Sequence, residues 1–296
     1  MPPPHTDRTA LIAAIGCFTA WGLFPLFFQA AGRAGADAWE VLAWRIVASA
    51  PTAGVLVWAS GQGPAFLALA RRPGVLGALG LSGTLIAVNW AVYIWSVQHG
   101  QTLATSLGYY LNPLLNVAVG AALFRERLSA PARLALALAV VGVALQAMAL
   151  GGVPWIPLVL AMSFCAYGVI RKRVAVEAQT GLLVETMLLV APAAAYLAVE
   201  GAHGGAAFGR STAATLLLLA AGPITVAPLI AFAVAARRLP LTLLGFLQFI
   251  QPTILFGLGA LAGEPVTPLR LLSFATIWAG VAVFAGGAWR RRPAPA

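Results

Sequence analysis

Long apolar runs, each closed by a short polar break, follow one another from residue 9 to residue 288. They predict ten transmembrane helices near 9–30, 39–59, 74–97, 102–124, 131–149, 154–170, 181–199, 212–236, 240–262 and 269–288. About 20 apolar residues in helical form are needed to cross a hydrocarbon core of roughly 30 Å. The runs are too long for membrane strands, and they lack the period-two alternation that a lipid-embedded barrel requires. The expected fold class is therefore an all-α integral membrane protein.

The last five runs repeat the first five. Tyr109, Asn112 and Pro113 in the fourth return as Gln248, Gln251 and Pro252 in the ninth, 139 residues later. Phe18-Thr-Ala-Trp21-Gly22 is echoed by Phe164-Cys-Ala-Tyr167-Gly168, and Glu40 by Glu185. The spacing of 139 holds from Gly83 and Gly222 to Pro113 and Pro252, and at 138 Glu126 and Gly142 match Glu264 and Gly280. Two five-helix units follow, 1–150 and 151–296. An odd number of crossings per unit inserts the second copy upside down, the inverted-repeat plan of many secondary transporters.

Composition supports the lipid reading: 61% of the 296 residues are hydrophobic and 9% charged, against roughly 25% charged in a soluble domain. The net charge of +10 does not point to nucleic acid, because the basic residues mark alternate loops rather than one patch. With a cytoplasmic N-terminus, fourteen of the eighteen Arg and Lys fall in cytoplasmic segments and three, Arg33, Arg210 and Arg270, in outer loops. By the positive-inside rule both termini of this multi-pass chain are expected in the cytoplasm. The first run resembles a signal peptide but is long, contains Trp21 and Pro25, and has a later counterpart, so it reads as a retained helix. Cys17 and Cys165 lie within spans and read as packing; His5, His99 and His203 are dispersed in loops, so no metal site or cofactor is expected. No phosphate-binding lysine loop and no His-Glu-x-x-His motif is present, so the chain is not expected to be an enzyme.

Candidate chemistry concentrates on a few faces. Tyr109, Asn112 and Asn116 share one helical face, as do Asn89, Tyr93 and Ser96. Pro113 and Pro252 each deprive a carbonyl one turn earlier of its donor, and matched helix breaks in two halves point to a transporter's binding site. Trp21, Trp90 and Tyr93, with Tyr167 as the counterpart of Trp21, suit either a path for planar organic solutes or ordinary packing. The substrate-binding candidates are thus Trp21, Asn89, Trp90, Tyr93, Tyr109, Asn112, Asn116, Tyr167, Gln248 and Gln251. Glu40 and Glu185 are lone acids in apolar runs and read either as titrating gates or as carboxylates that reach headgroup water; Arg45 is the deepest cation, and its expected partner is a carbonyl freed by Pro113, an acid of another helix or an anionic substrate group.

Three stretches carry a family resemblance: Ser106-Leu-Gly-Tyr-Tyr-Leu-Asn-Pro113, the Arg125-Glu-Arg127 that follows, and Arg171-Lys-Arg-Val-Ala-Val-Glu-Ala-Gln-Thr-Gly181 with Glu185-Thr-Met beyond. The chain from about Ala10 to Ala288 resembles the RarD permeases, of the EamA branch of the drug/metabolite transporter superfamily. The resemblance implies a ten-helix inner-membrane permease that moves small organic solutes, with export the favoured direction, and names no substrate. The expected partners are a small-molecule substrate and membrane lipid. Two rival readings are a non-transporting sensor or scaffold, which the short loops disfavour, and a flippase for lipid-linked precursors.

Overall fold

The computed structural model describes residues 8–124, 129–239 and 247–290. Eleven helices run through them: α1 (Arg8–Arg33), α2 (Ala38–Ala59), α3 (Gly63–Leu69), α4 (Pro73–Gln98), α5 (Thr102–Phe124), α6 (Ala130–Leu150), α7 (Trp155–Arg173), α8 (Ala178–Ala202), α9 (Thr212–Arg238), α10 (Ile250–Leu261) and α11 (Pro268–Arg290). No strand occurs among the described residues. Seven of the helices are long and apolar enough to cross a membrane. The expected span at 240–262 begins outside the described residues, and the short α3 was not anticipated because its seven residues carry no period of their own.

Local chemistry sets the helix ends. The Asp37 carboxylate accepts from the Glu40 amide at 2.7 Å to open α2, and Ser129 and Ser211 do the same for α6 and α9. Gly151 closes α6 at φ 67°, a left-handed conformation that glycine adopts without steric cost. Side chains such as Ile12, Val55, Val140, Met162 and Leu216 are more than half exposed along the outer faces. In water such a surface would aggregate; in a bilayer it is the solvent-facing side.

The main helix pairs recur when the halves marked out by the sequence repeat are exchanged. α6 lies along α11, α2 along α8, and α5 along α10; α1 packs on α9 as α7 packs on α4, and α5 on α7 as α10 on α1. One crossing matches residue by residue. A Cβ on Gly142 would lie 3.1 Å from the Ser273 carbonyl oxygen, and one on Gly280 would lie 3.0 Å from that of Ala135. Both Gly142 with Gly280 and Ala135 with Ser273 stand at the repeat spacing of 138. Small residues let these backbones meet, as membrane helices without a hydrophobic drive between them require, and the Ser273 hydroxyl donates to the Gly142 carbonyl at 2.7 Å.

A second crossing breaks the match. Gly83 of α4 faces Glu185 of α8, with 3.3 Å between its would-be Cβ and that of Glu185. Its counterpart Gly222 of α9 meets Ala48 of α2, not Glu40, the counterpart of Glu185. Ala48 lies about two helical turns, roughly 12 Å of helix, beyond Glu40.

Substituting Gly142→Leu or Gly280→Leu should force α6 from α11 and cost about 1–3 kcal/mol, read as a lowered melting temperature in detergent. Gly16→Leu, on a face with open space around it, should leave the melting temperature nearly unchanged.

Candidate functional site

Arg45 organises the interior. It projects from α2, is 5% exposed, and donates from Nε to the Thr225 hydroxyl of α9 at 2.9 Å. Thr225 in turn donates to the Ala221 carbonyl at 2.7 Å. The guanidinium carbon sits 4.1 Å from the centre of the Trp90 ring, with Phe24 at 5.4 Å and Phe28 at 5.7 Å, the geometry in which an aromatic quadrupole attracts a cation. Arg45 Nη1 has no hydrogen-bond partner. Among the described residues no carboxylate lies within ion-pair distance of it, and the titratable groups acting on it are the phenols of Tyr93 and Tyr109.

Those phenols join a short polar chain. The Tyr93 hydroxyl donates to the Trp21 carbonyl at 3.4 Å, and that of Tyr109 to Asn89 Oδ1 at 3.2 Å. The Asn89 amide then donates to the Leu160 carbonyl and the Ser163 hydroxyl of α7, at 2.8 and 3.0 Å. Tyr93 meets both Tyr109 and Phe28 edge to face at 5.4 Å. The structure thus brings together six expected residues, Trp21, Arg45, Asn89, Trp90, Tyr93 and Tyr109, in one aromatic cluster where α1, α2, α4, α5 and α9 converge.

Other expected residues sit apart. Asn112 is buried, and its Oδ1 has no partner. The side chain of Asn116 lies outside the described residues. Gln248 and Gln251 are half-buried at the start of α10. The pair of helix breaks expected at Pro113 and Pro252 is present in one half only. Helix α5 continues through Pro113, whereas a turn at Gln248 and Phe249 precedes α10 and leaves Pro252 in its first turn, where no backbone donor is missed. The Pro252 carbonyl is taken by the Ser106 hydroxyl at 2.7 Å, and the Tyr110 and Thr253 hydroxyls meet at 2.6 Å, so α5 and α10 are pinned together here.

The matched acids occupy different environments. Both oxygens of Glu40 accept backbone amides from the turn between α8 and α9, Ala207 at 2.9 Å and Phe208 at 3.0 Å. The Phe208 ring stacks on Trp44 at 4.3 Å. Glu185 instead accepts from the Ser82 hydroxyl at 2.5 Å and lies 3.6 Å from Arg171 Nη1, with Tyr167 beside it. Its Oε2 has no hydrogen-bond partner. Tyr167 therefore belongs to this second cluster and not to the aromatic one. Gly181 is small for a reason: a Cβ there would overlap the Arg171 guanidinium, which crosses it toward Glu185.

Sequence reasoning missed three buried polar contacts. Arg171 read as one of an orienting basic run, yet it faces Glu185. Thr225 was hidden among ordinary small polar residues of an apolar helix. Glu264 read only as a repeat match, yet its carboxylate takes the amides of Thr102 and Leu103 at 2.5 and 2.9 Å, capping α5 from the opposite half. Lone acids next to turns on both sides of the repeat were the available signal.

A multi-pass helical bundle with a polar and aromatic interior is the build of a membrane transporter. The chain belongs to the RarD family of EamA-type transporters. The EamA-like transporter family model matches residues 8–148. A Pseudomonas aeruginosa transporter of uncharacterized cargo is 42% identical over 97% of this chain and 98% of its own length. The RarD proteins of Streptomyces exfoliatus and Escherichia coli are each 38% identical, over 98% and 94% of this chain and 92% and 94% of theirs. One solved crystal structure, 20% identical, aligns over 96% of this chain and 99% of its own with a TM-score of 0.58, a likeness of fold.

Glu40→Gln replaces one acceptor by an NH2 that faces a backbone N–H. With only one of the two amides still satisfied, the substitution should cost about 2 kcal/mol of stability, measured by thermal denaturation in detergent. An unchanged melting temperature would mean that the contact with Ala207 and Phe208 contributes nothing net.

Proposed function

We propose that this protein is a secondary transporter of small organic solutes in the bacterial inner membrane, working by alternating access between two inverted five-helix repeats. The ten spanning helices of this reading are α1, α2, α4, α5 and α6 in the first repeat and α7, α8, α9, the segment ending in α10, and α11 in the second. The observation that carries it is the mismatch at one repeat-related crossing beside an exact match at another. α6 and α11 cross with two-fold regularity, while Gly83 faces Glu185 and Gly222 faces Ala48, two turns from Glu40. Two halves of like sequence held in unlike registers are what a device that alternates between mirror-related states requires.

The acids supply the switch. Glu40 clasps the Ala207 and Phe208 amides. The corresponding stretch of the first half is the segment carrying α3, between α2 and α4. Glu185 is held instead by Ser82, with Arg171 beside it. In the opposite state Glu185 takes the equivalent clasp at the other face and Glu40 releases its own. Glu185, with an oxygen free of any partner and faced by Arg171, Tyr167 and Ser82, is also the carboxylate placed to carry a coupled proton; Glu40, with both oxygens engaged, acts as a latch. Export is the direction this reading favours, with both termini in the cytoplasm.

The test is flux in proteoliposomes with radiolabelled solutes, chloramphenicol among them, with and without a pH gradient. Gradient-driven accumulation is expected in the wild type and its loss in Glu185→Gln, with exchange of the solute at zero gradient retained. No flux above empty liposomes for any solute of a broad panel would overturn the transport reading; wild-type gradient dependence in Glu185→Gln would overturn the coupling assignment. In a background without Cys17 and Cys165, His203→Cys should label from outside intact cells and Ser129→Cys only after permeabilisation. Equal labelling of both from outside would refute the orientation.

A further inference from the structure

Among the described residues the Arg45 cluster holds a charge without a counter-charge. A cation inside a membrane protein is expensive unless something pairs with it, yet Arg45 has Thr225 on one nitrogen, rings on its flanks and nothing on Nη1. One turn along the same face of α2, Ser49 is buried and its hydroxyl oxygen has no partner either. Two unused donors therefore stand one turn apart on α2, with the rings of Phe24, Phe28 and Trp90 around the guanidinium.

We infer that Arg45 Nη1 and the Ser49 hydroxyl form the anchor for the carboxylate of a small organic monoanion, whose apolar body rests on these aromatic walls. This rests on the transporter reading and names the cargo class for it. The charge balance selects the class: one carboxylate neutralises one guanidinium, whereas a dianionic phosphate would leave a net negative charge among aromatic rings. A neutral solute would leave Arg45 uncompensated. The planar guanidinium fork matches a carboxylate better than an ammonium does, and Thr225 fixes it by taking Nε.

Binding is measured on the full chain in detergent, by thermal shift and by tryptophan fluorescence, since Trp90 lies against the guanidinium. The probes are acetate, phenylacetate and indole-3-acetate, their primary amides, and phenyl phosphate at pH 8. Aromatic carboxylates should raise the melting temperature and perturb the emission at concentrations at least about tenfold below their amides or phenyl phosphate. Acetate should be weak. Arg45→Gln should abolish the carboxylate response, Arg45→Lys should weaken it by about tenfold, and Ser49→Ala by several-fold. If Arg45→Gln does not fold, the lysine and alanine variants carry the test.

Equal responses to acids and amides, no response to any probe, or wild-type binding in both Arg45→Lys and Ser49→Ala would overturn the inference. Exchange of labelled phenylacetate across proteoliposomes separates this from the transport reading. Carboxylate binding without exchange would keep the anchor and remove transport of that class. Exchange of neutral solutes that is indifferent to Arg45→Lys, with no carboxylate binding, would keep the transporter and remove the anchor.

Discussion

In a bilayer no water is available to satisfy a buried polar group, so each one must find its partner inside the protein. Most features of this structure follow from that constraint. Glu40 and Glu264 are held by backbone amides at the start of segments from the opposite half. Asn89 links α4, α5 and α7 by spending its amide and its oxygen on three groups. Hydroxyls of Ser82, Thr186, Thr225 and Thr253 return to their own helices or to a neighbour. Against this economy a set of unpaired buried atoms stands out, Arg45 Nη1, Ser49 Oγ, Asn112 Oδ1 and Glu185 Oε2 among them. In the proposed transport cycle, a solute at Arg45 and Ser49 and a proton at Glu185 complete the accounting.

The two halves solve the same problem with different contacts. Where Gly142 and Gly280 meet carbonyl oxygens of Ser273 and Ala135, the halves are equivalent. Where α2 meets α9 and α8 meets α4, they are not. Apolar helices in lipid slide against one another with little change in buried apolar area, so small residues and a few hydrogen bonds set the preferred registers. In the proposed transport cycle the acids decide which register holds, since a carboxylate that captures two amides is worth more than any single van der Waals contact in the interface.

Much of this was legible in the sequence. Run length gave the helices, because hydrocarbon thickness fixes the number of apolar residues per crossing. The chain belongs to the family that the Arg171–Gly181 stretch and the Ser106–Pro113 stretch resemble. Within the site, Arg45, Asn89, Trp90, Tyr93, Tyr109 and Trp21 were identified from their depth and their shared faces, and they do converge. Tyr167, the sequence counterpart of Trp21, lies beside Glu185 instead, because residues that match in a repeat need not share surroundings. The role of Arg171 was hidden by its basic neighbours: three adjacent cations look alike until Gly181 shows which one has room to turn inward. The Pro113 break did not appear because a helix tolerates a proline where neighbouring helices cover the backbone.

The central claim is that the two ends of the bundle open alternately, with Glu40 and Glu185 exchanging roles. Electron-spin distance measurements on nitroxide pairs report this directly, one pair at each end: Ala34 with Gly209 beside the Glu40 clasp, and Ser60 with Glu177 beside α3 and the start of α8. Two distance populations are predicted for each pair, and Glu40→Gln should lengthen the first distance while shortening the second. A single population at both ends, or distances that lengthen together, would contradict the account.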